Sequence, residues 1–197
     1  MSRTYIYCCL GLYYLAMMFL SCKSIQSGKE LNLEGSLVEK AVQQKKVHLK
    51  MEWANPLNTM ALNTIATSGL LPPGNNGSQI NLIGNTNYLK MKGDTLTGYL
   101  PFYGERRLGG GNGRDIQIEF NDKAKDLTIK RNEIKNRFEI NGIISDKNRP
   151  TESYQVYTEI YANGKSRTTI NSSDRTVISY TGTLQLDEQP RAVDLSN

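Results

Sequence analysis

Cysteine and histidine are scarce in this chain of 197 residues, which has three cysteines and one histidine. The cysteines are Cys8, Cys9 and Cys22, so the chain beyond position 22 has no thiol for a disulfide or for nucleophilic catalysis. With His48 alone, it also lacks the usual protein ligands of zinc, iron–sulfur and haem sites. We therefore expect no metal and no other cofactor, and we interpret His48, in an alternating stretch, as a solvated strand residue.

Motifs of known catalytic sites are missing as well. The sequence has no serine elbow and no histidine in a supporting motif. The glycine-rich run Gly109–Gly113 leads into the strand pattern "DIQIEF", without the helix and the Lys-Ser/Thr pair of a phosphate-binding loop. We interpret this run, with Arg106 and Arg107 before it, as an exposed loop. The sequence favours a protein that is not an enzyme, and a hydrolase built on two carboxylates is the remaining catalytic alternative.

Long stretches of one charge sign are also absent, although the formal net charge is +5. Lysines and arginines alternate with acids, as in "NDKAKDLTIKRNEIKNRFEI". This mixture indicates solvated strand faces and turns rather than a surface that follows phosphates. We therefore expect no nucleic acid partner.

One long apolar run is present, at residues 5–20, after a single positive charge at Arg3. It is shorter than the roughly 20 residues that a membrane-spanning helix needs. The junction Leu20-Ser21-Cys22 follows it and resembles the lipobox of bacterial lipoproteins, whose cysteine thiol accepts diacylglycerol before cleavage. We expect residues 1–21 to be a lipoprotein signal peptide and Cys22 to be lipidated and to hold the protein to the membrane. The alternative is an uncleaved signal anchor in which Cys22 is incidental.

The rest of the chain divides into three parts. We expect residues 22–30 to form a polar tether, residues 31–190 a single antiparallel β domain with a leading helix, and residues 191–197 a C-terminal tail. After Cys22 the chain has neither an Asp at the second position, which favours retention in the inner membrane, nor the acidic cluster of surface-exported lipoproteins. We expect the domain to be anchored to the outer membrane and to face the periplasm.

Hydrophobic spacing predicts the fold. Apolar residues recur every three or four positions in 33–42, which predicts a helix that ends near Lys45. The next stretch, "KVHLKMEWANP", alternates, and one face of it carries Val47, Leu49, Met51 and Trp53. Later runs are rich in β-branched and aromatic residues and are joined by hairpin turns, such as Lys92–Asp94 and 162–165. The chain is therefore predicted to be mainly β, an antiparallel barrel-like or sandwich fold of about 8–10 strands with one N-terminal helix.

Aromatic residues supply the candidate site. In "YLPFYG", Pro101 cannot donate a hydrogen bond to a sheet ladder and must lie at a strand edge, end or bulge. We interpret the block as scaffold, with Phe102 directed inward, and the lip of a pocket is the alternative. Together with tyrosines late in the chain, the candidate binding or scaffold residues are Tyr99, Phe102, Tyr103, Tyr157, Tyr161 and Tyr180.

Three segments carry a family resemblance: "GDTLTGYLPFYG", "DIQIEF" and "YQVYTEIYANGKSRTTINSSDRTVISYTGTL". They resemble the uncharacterised Bacteroidetes-type lipoprotein family of domain of unknown function 4251, over about residues 42–186. The resemblance implies a shared fold and a place in the cell envelope, and it brings no established activity.

Three functions remain open at this point. The first is a membrane-anchored, non-catalytic lipoprotein that binds a protein partner or a small apolar or amphipathic ligand. The second is a purely structural or assembly role without a ligand site, and the third is the carboxylate-based hydrolase. A cavity inside the β fold would favour the first, a filled core the second, and two close acids in a cleft the third.

Overall fold

The structure, a computed structural model, describes residues 36–69, 71, 74–107 and 117–185. The predicted signal peptide, Cys22, the tether, the run Gly109–Gly113 and the C-terminal tail lie outside these residues. The described helices and strands are α1 (Leu37–Gln43), β1 (Lys46–Pro56), α2 (Met60–Thr67), β2 (Ile80–Asn81), β3 (Tyr88–Lys92), β4 (Thr95–Pro101), β5 (Gln117–Lys123), β6 (Lys125–Asn132), β7 (Arg137–Ser145), β8 (Ser153–Tyr161), β9 (Lys165–Ser172) and β10 (Ile178–Leu184).

The predicted N-terminal helix is present as α1, and it ends close to Lys45 as expected. The Ser36 side chain accepts a hydrogen bond from the Glu39 backbone N–H at 3.1 Å, which caps the first turn. Val38 and Val42, one turn apart, are buried in the core. An ion pair of 3.5 Å between Glu39 and Arg131 links the helix to β6. The short helix is thus held mainly by the apolar face that it buries.

The strands form one antiparallel sheet that nearly closes into a barrel, in the order β5-β4-β3-β1-β10-β9-β8-β7-β6, with β2 added beside β1. From β3 to β5, and again from β6 to β10, each strand pairs with the next along the chain, and β10 returns to pair with β1. The predicted mainly β, barrel-like fold is confirmed. Hairpins produce this order because each turn places consecutive strands side by side, as at Gly93 and Gly164, whose positive φ values of 61° and 78° suit tight turns.

The two ends of the sheet meet through one continuous piece of chain. β5 and β6 are separated by Ala124 alone, yet β5 pairs with β4 and β6 pairs with β7. Asp126 has φ 51°, a left-handed conformation that bends the chain at this junction. Gly142 of β7 lies so close that an added Cβ would meet Ala124 Cβ at 3.1 Å. Because of this bend, one continuous stretch of chain pairs with β4 through β5 and with β7 through β6. The two ends of the sheet are thereby brought together.

Side chains fill the interior of the barrel. Buried and exposed residues alternate along β4, β7, β8 and β9, so every second side chain points inward. Two inward polar residues bond to each other, since the Thr168 hydroxyl of β9 lies 3.0 Å from the Thr158 hydroxyl of β8. The enclosed space among apolar side chains of β1, β3, β4, β7 and β8 is about 10 Å³. Such a space holds about one water molecule and no organic ligand.

Trp53 corrects the predicted face of β1. A β-bulge between Met51 and Trp53 places Met51 inward and Trp53 on the outer surface, opposite Thr181 of β10. Such a bulge adds one residue to a strand and therefore reverses the alternation beyond it. The prediction that Trp53 shares a face with Val47, Leu49 and Met51 is wrong for this reason.

A second helix, α2, follows β1 and was not predicted from the sequence. Thr59 caps it, because the Thr59 hydroxyl accepts a hydrogen bond from the Leu62 backbone N–H at 3.2 Å. Leu62 is its buried apolar residue, while Met60 and Ile65 are exposed. The apolar stripe was therefore too weak to indicate a helix, and the Thr59 cap was the available signal.

Candidate functional site

The structure divides the six candidate aromatic residues between the interior and the outer surface. Phe102 and Tyr180 are buried, and the Tyr180 hydroxyl donates to the Pro101 carbonyl at 2.9 Å. Tyr103 is half-buried and packs against the core. These three lie where β4 ends and β10 begins, so they belong to the closure of the barrel at that end.

The other three candidates lie on the outer wall. Tyr99 stacks on Tyr88, with ring centroids 6.1 Å apart, and its hydroxyl accepts from the Gln117 amide at 2.5 Å. Tyr157 and Tyr161 are on the outer face of β8, where Tyr161 accepts a hydrogen bond from Arg137 at 3.3 Å. The six residues therefore do not converge on one site.

A buried ionic network closes the barrel beside Phe102. Arg175 Nε donates to Glu152 Oε1 at 2.7 Å, and the two side chains are 2% and 0% exposed. Glu152 also accepts from Ser172 Oγ at 2.7 Å and from Arg106 Nη2 at 2.8 Å. Arg175 Nη1 donates to the Gln117 carbonyl at 2.8 Å, at the start of β5. One carboxylate thus joins three separate segments of the chain.

The charged state of Glu152 is stabilised by these contacts. Burial by itself raises the pKa of the Glu152 carboxyl, but the hydrogen bonds from Arg175, Ser172 and Arg106 outweigh burial and lower it. Burial would likewise lower the pKa of Arg175, and the bond to Glu152 raises it instead. Both groups are therefore ionised at neutral pH.

Aromatic rings and a second buried acid complete the network. The Arg175 guanidinium lies over the Phe102 ring at 5.1 Å and near the Tyr154 ring at 5.9 Å. The Tyr154 hydroxyl donates to Asp146 Oδ2 at 2.5 Å, while Asp146 Oδ1 accepts the backbone N–H groups of Asn148 and Arg149. Burial, and then the Asp146 contact, raise the pKa of Tyr154. The two buried acids are thus occupied by partners that fix the fold.

Arg106 belongs to this network and not to an exposed loop. Its side chain is 13% exposed and forms its ion pair with the fully buried Glu152. Backbone hydrogen bonds join the segment after β4 to the loop before β10. Arg107 N donates to the Asp174 carbonyl, and Thr176 N donates to the Glu105 carbonyl. The interpretation of Arg106 as an exposed arginine is wrong, because a contact distant in sequence buries it; Arg107 is exposed as expected.

A second feature is a surface that we call the basic wall, the outward positions of β9, β10, β1 and β3. Its basic residues are Lys46, Lys50, Lys90, Lys92, Lys165 and Arg167, its one histidine is His48, and its acid is Glu52. The lysines and Arg167 are exposed, and none of them forms an ion pair within 4 Å with a residue that the structure describes. The mixed charge along the sequence is therefore sorted by the fold into one positive surface.

Like charges face one another across two of these strands. Lys46 is directly opposite Lys92 in the β1–β3 register, and His48 is directly opposite Lys90. Two lysines placed directly opposite each other destabilise a sheet. These four residues line an open cleft of about 320 Å³. This arrangement would be relieved by an anion bound between the two strands.

A larger groove lies on the same wall, around Trp53. Its volume is about 550 Å³, within the range of ligand clefts. Trp53, partly exposed, contributes an aromatic surface, Lys165 and Arg167 contribute positive charge, and Thr181 and Thr183 contribute hydroxyls. The Thr183 hydroxyl is 3.2 Å from Glu52 Oε1. The β-bulge turns Trp53 outward into this groove, and of the six aromatic candidates named from the sequence Tyr161 also lines it.

Two further observations concern membranes and metals. Neither described helix is long and apolar enough to cross a bilayer. Within the described ranges, no three His, Cys, Asp or Glu side chains are grouped so as to hold a metal ion.

The comparisons with known proteins give one result. No curated protein matches the chain. The family model described as "Domain of unknown function (DUF4251)" matches residues 30–184, a range that contains the buried network, the basic wall and the groove. That description assigns no activity. Because the match covers most of its length, the chain belongs to the DUF4251 family.

Proposed function

We propose that this protein is a non-catalytic, membrane-anchored lipoprotein of the cell envelope that binds its partner or ligand on the outer wall of the barrel. The observation that carries the proposal is the contrast between the two sides of the sheet. The enclosed space that the structure describes among the apolar side chains of β1, β3, β4, β7 and β8 is about 10 Å³, whereas the groove around Trp53 is about 550 Å³. A binding role therefore falls to the outer wall.

Membrane anchoring is the other half of the proposal. It rests on the junction Leu20-Ser21-Cys22, which places a lipid-accepting thiol directly after a short apolar segment. Two or more acyl chains on Cys22 would hold the protein stably to a bilayer, where a single chain would not. The chain after Cys22 favours the outer membrane, with the domain in the periplasm.

Anchoring is tested by labelling cells with an alkyne analogue of palmitate. Wild-type protein should incorporate the label, and the Cys22→Ala variant should not. Equal labelling of both would show that Cys22 is not the anchor. Proteinase treatment of intact cells tests the orientation, since a periplasmic domain is protected and a surface domain is removed.

Binding on the outer wall is tested by placing a photo-crosslinking amino acid at Thr181, in the groove, or at Lys130, exposed on β6. In whole cells the Thr181 position should give a defined adduct that is lost when Arg167→Gln is added. The Lys130 position is the matched control. The same adducts from both positions, or none from Thr181, would contradict a binding groove.

A structural or assembly role without a ligand is the second candidate. The packed interior and the buried network around Glu152 favour it, because both serve the stability of the barrel. A carboxylate-based hydrolase is less well supported. The buried acids Asp146 and Glu152 are held by Tyr154 and by two arginines, and such contacts leave neither acid available to activate water.

A further inference from the structure

We infer that the groove around Trp53 binds an acidic saccharide, a chain of sugar rings that carry carboxylate or phosphate groups. This inference rests on the proposed binding role of the outer wall and names the chemistry of the ligand. It is carried by three properties of the groove: an aromatic surface, hydrogen-bonding side chains around it, and the positive charge of Lys165 and Arg167, neither of which forms an ion pair within 4 Å with a described acid.

The aromatic surface comes from Trp53. A tryptophan combines a large flat apolar face with a polar edge, which fits a partner that has both apolar and polar sides. A sugar ring is such a partner, because its C–H groups form one face while its hydroxyls point outward around the rim. The bulge at Met51 and Trp53 holds the indole on the outer surface, where a ring can lie against it.

Hydrogen-bonding groups surround the indole. Thr181 and Thr183 offer hydroxyls, Asn163 offers an amide, and Glu52 offers a carboxylate that accepts hydrogen bonds. Glu52 distinguishes between anionic partners. It would repel a plain anionic surface such as a layer of lipid headgroups, whereas the hydroxyls of a saccharide would donate to it.

Positive charge supplies the preference for an acid. Arg167 and Lys165 are exposed in the groove, and Arg167 presents a planar fork of donors that matches a carboxylate or phosphate. The four strands of the basic wall continue this charge to the cleft between Lys46 and Lys92. Three inter-strand gaps separate β9 from β3, about 14 Å across the wall. An oligosaccharide of a few rings can therefore contact Trp53 and the lysine cleft together.

The chain contains its own probe for this interaction, since Trp53 is the one tryptophan in the sequence. The experiment uses the full chain in a polyoxyethylene detergent, which has no sugar headgroup to compete. Trp53 emission is followed during titration with a tetramer of galacturonic acid. Three comparison titrations use the neutral galactose tetramer, an oligoglutamate of equal charge, and vesicles that contain phosphatidylglycerol.

We expect a saturable change in Trp53 emission with the acidic tetramer, and binding at least tenfold weaker for the neutral tetramer and for oligoglutamate. Arg167→Gln and Lys165→Gln should each weaken binding of the acidic tetramer several-fold. Lys130→Gln and Lys135→Gln, which remove the same charge from β6 and the turn after it, should leave it within twofold. Melting curves check that each variant is folded. The titrations of the wild-type protein with the different ligands test the inference even if a variant does not fold.

Several outcomes would overturn the inference. No response to the acidic tetramer, or an equal response to oligoglutamate, would show that the groove does not recognise a saccharide. A response to the vesicles without one to the tetramer would mean that the wall faces a membrane. If the tetramer fails while the Thr181 crosslink in cells captures a protein, the binding role stands and only the saccharide is wrong.

Discussion

Arg175 and Glu152 form an ion pair that is almost completely withdrawn from solvent, with Nε 2.7 Å from Oε1. Desolvation of two charges is costly, and this pair offsets the cost through further hydrogen bonds to Ser172, Arg106 and the Gln117 carbonyl. The pair joins β5 to the loops before β8 and β10. It therefore fixes the end of the barrel where Phe102 and Tyr180 close the core.

Replacing Glu152 should strongly lower the free energy of unfolding. Glu152→Gln leaves the buried Arg175 without its counter-charge, and we expect a loss of about 3–5 kcal/mol in the free energy of unfolding. Urea unfolding of the soluble chain beginning after Cys22 measures it. Glu133→Gln, in the exposed turn after β6, is the control and should change stability by no more than about 0.5 kcal/mol. Equal effects of both would contradict the role of the pair.

Substitutions of the neighbouring residues Arg106 and Arg107 should differ sharply in their effect on stability. Arg106→Ala removes a hydrogen bond to a buried carboxylate and should cost about 1.5–3 kcal/mol of unfolding free energy. Arg107→Ala changes an exposed side chain and should cost less than about 0.5 kcal/mol. Parallel denaturation curves of the two variants provide the measurement. A stable Arg106→Ala protein would show that Arg175 alone is sufficient for Glu152.

Phe102 should act as scaffold. It is 7% exposed, lies under the Arg175 guanidinium, and leaves a cavity when truncated. Phe102→Ala should therefore cost about 3–5 kcal/mol of unfolding free energy, and Phe102→Leu clearly less, because leucine retains most of the apolar volume. Thermal melts followed by circular dichroism compare the two. Melting of Phe102→Ala at the wild-type temperature would place the ring in solvent.

Acid should weaken the fold through Glu152. The pKa of this carboxyl is lower in the folded protein than its ordinary value of 4.5, so its stabilising contribution is complete above about pH 4.5. That contribution is lost as the pH falls from there through the folded-state pKa. Unfolding free energies measured across this range should fall less steeply for Glu152→Gln than for wild type. Identical slopes would mean that other acids dominate.

The seam between β1 and β10 should not tolerate a side chain at Gly182. An added Cβ would meet Met51 Cα at 2.8 Å and the Lys50 carbonyl oxygen closer still, and backbone atoms at the bulge have little room to move. Gly182→Ala should lower the free energy of unfolding by more than about 1 kcal/mol, in the range typical of overpacking. The neighbouring Thr181→Ala, on the outer face, is the control. Equal melting temperatures of both variants would show that the seam relaxes.

The local sequence pattern was sufficient to predict the strands, but it was not sufficient to predict the groove around Trp53. The alternation of "KVHLKMEWANP" predicted β1 with the bounds that the structure gives, because the alternation of side chains is a property of the strand itself. The same alternation failed for Trp53, since a bulge depends on how β1 pairs with β10, more than 120 residues away in sequence. A helix as short as α2, with Leu62 as its buried apolar residue, gave too little pattern to be found.

By itself the sequence determined that the chain is mainly β, that its strands are joined by hairpins, and that no cysteine and a single histidine, His48, follow Cys22, because residue type and local spacing decide these features. Only the tertiary structure decided which charges are buried and which are gathered together. Arg106 and Arg107 are adjacent in sequence, yet one binds Glu152 in the interior and the other is solvated. The basic wall, likewise, exists only because the register of four antiparallel strands places lysines from separate segments side by side.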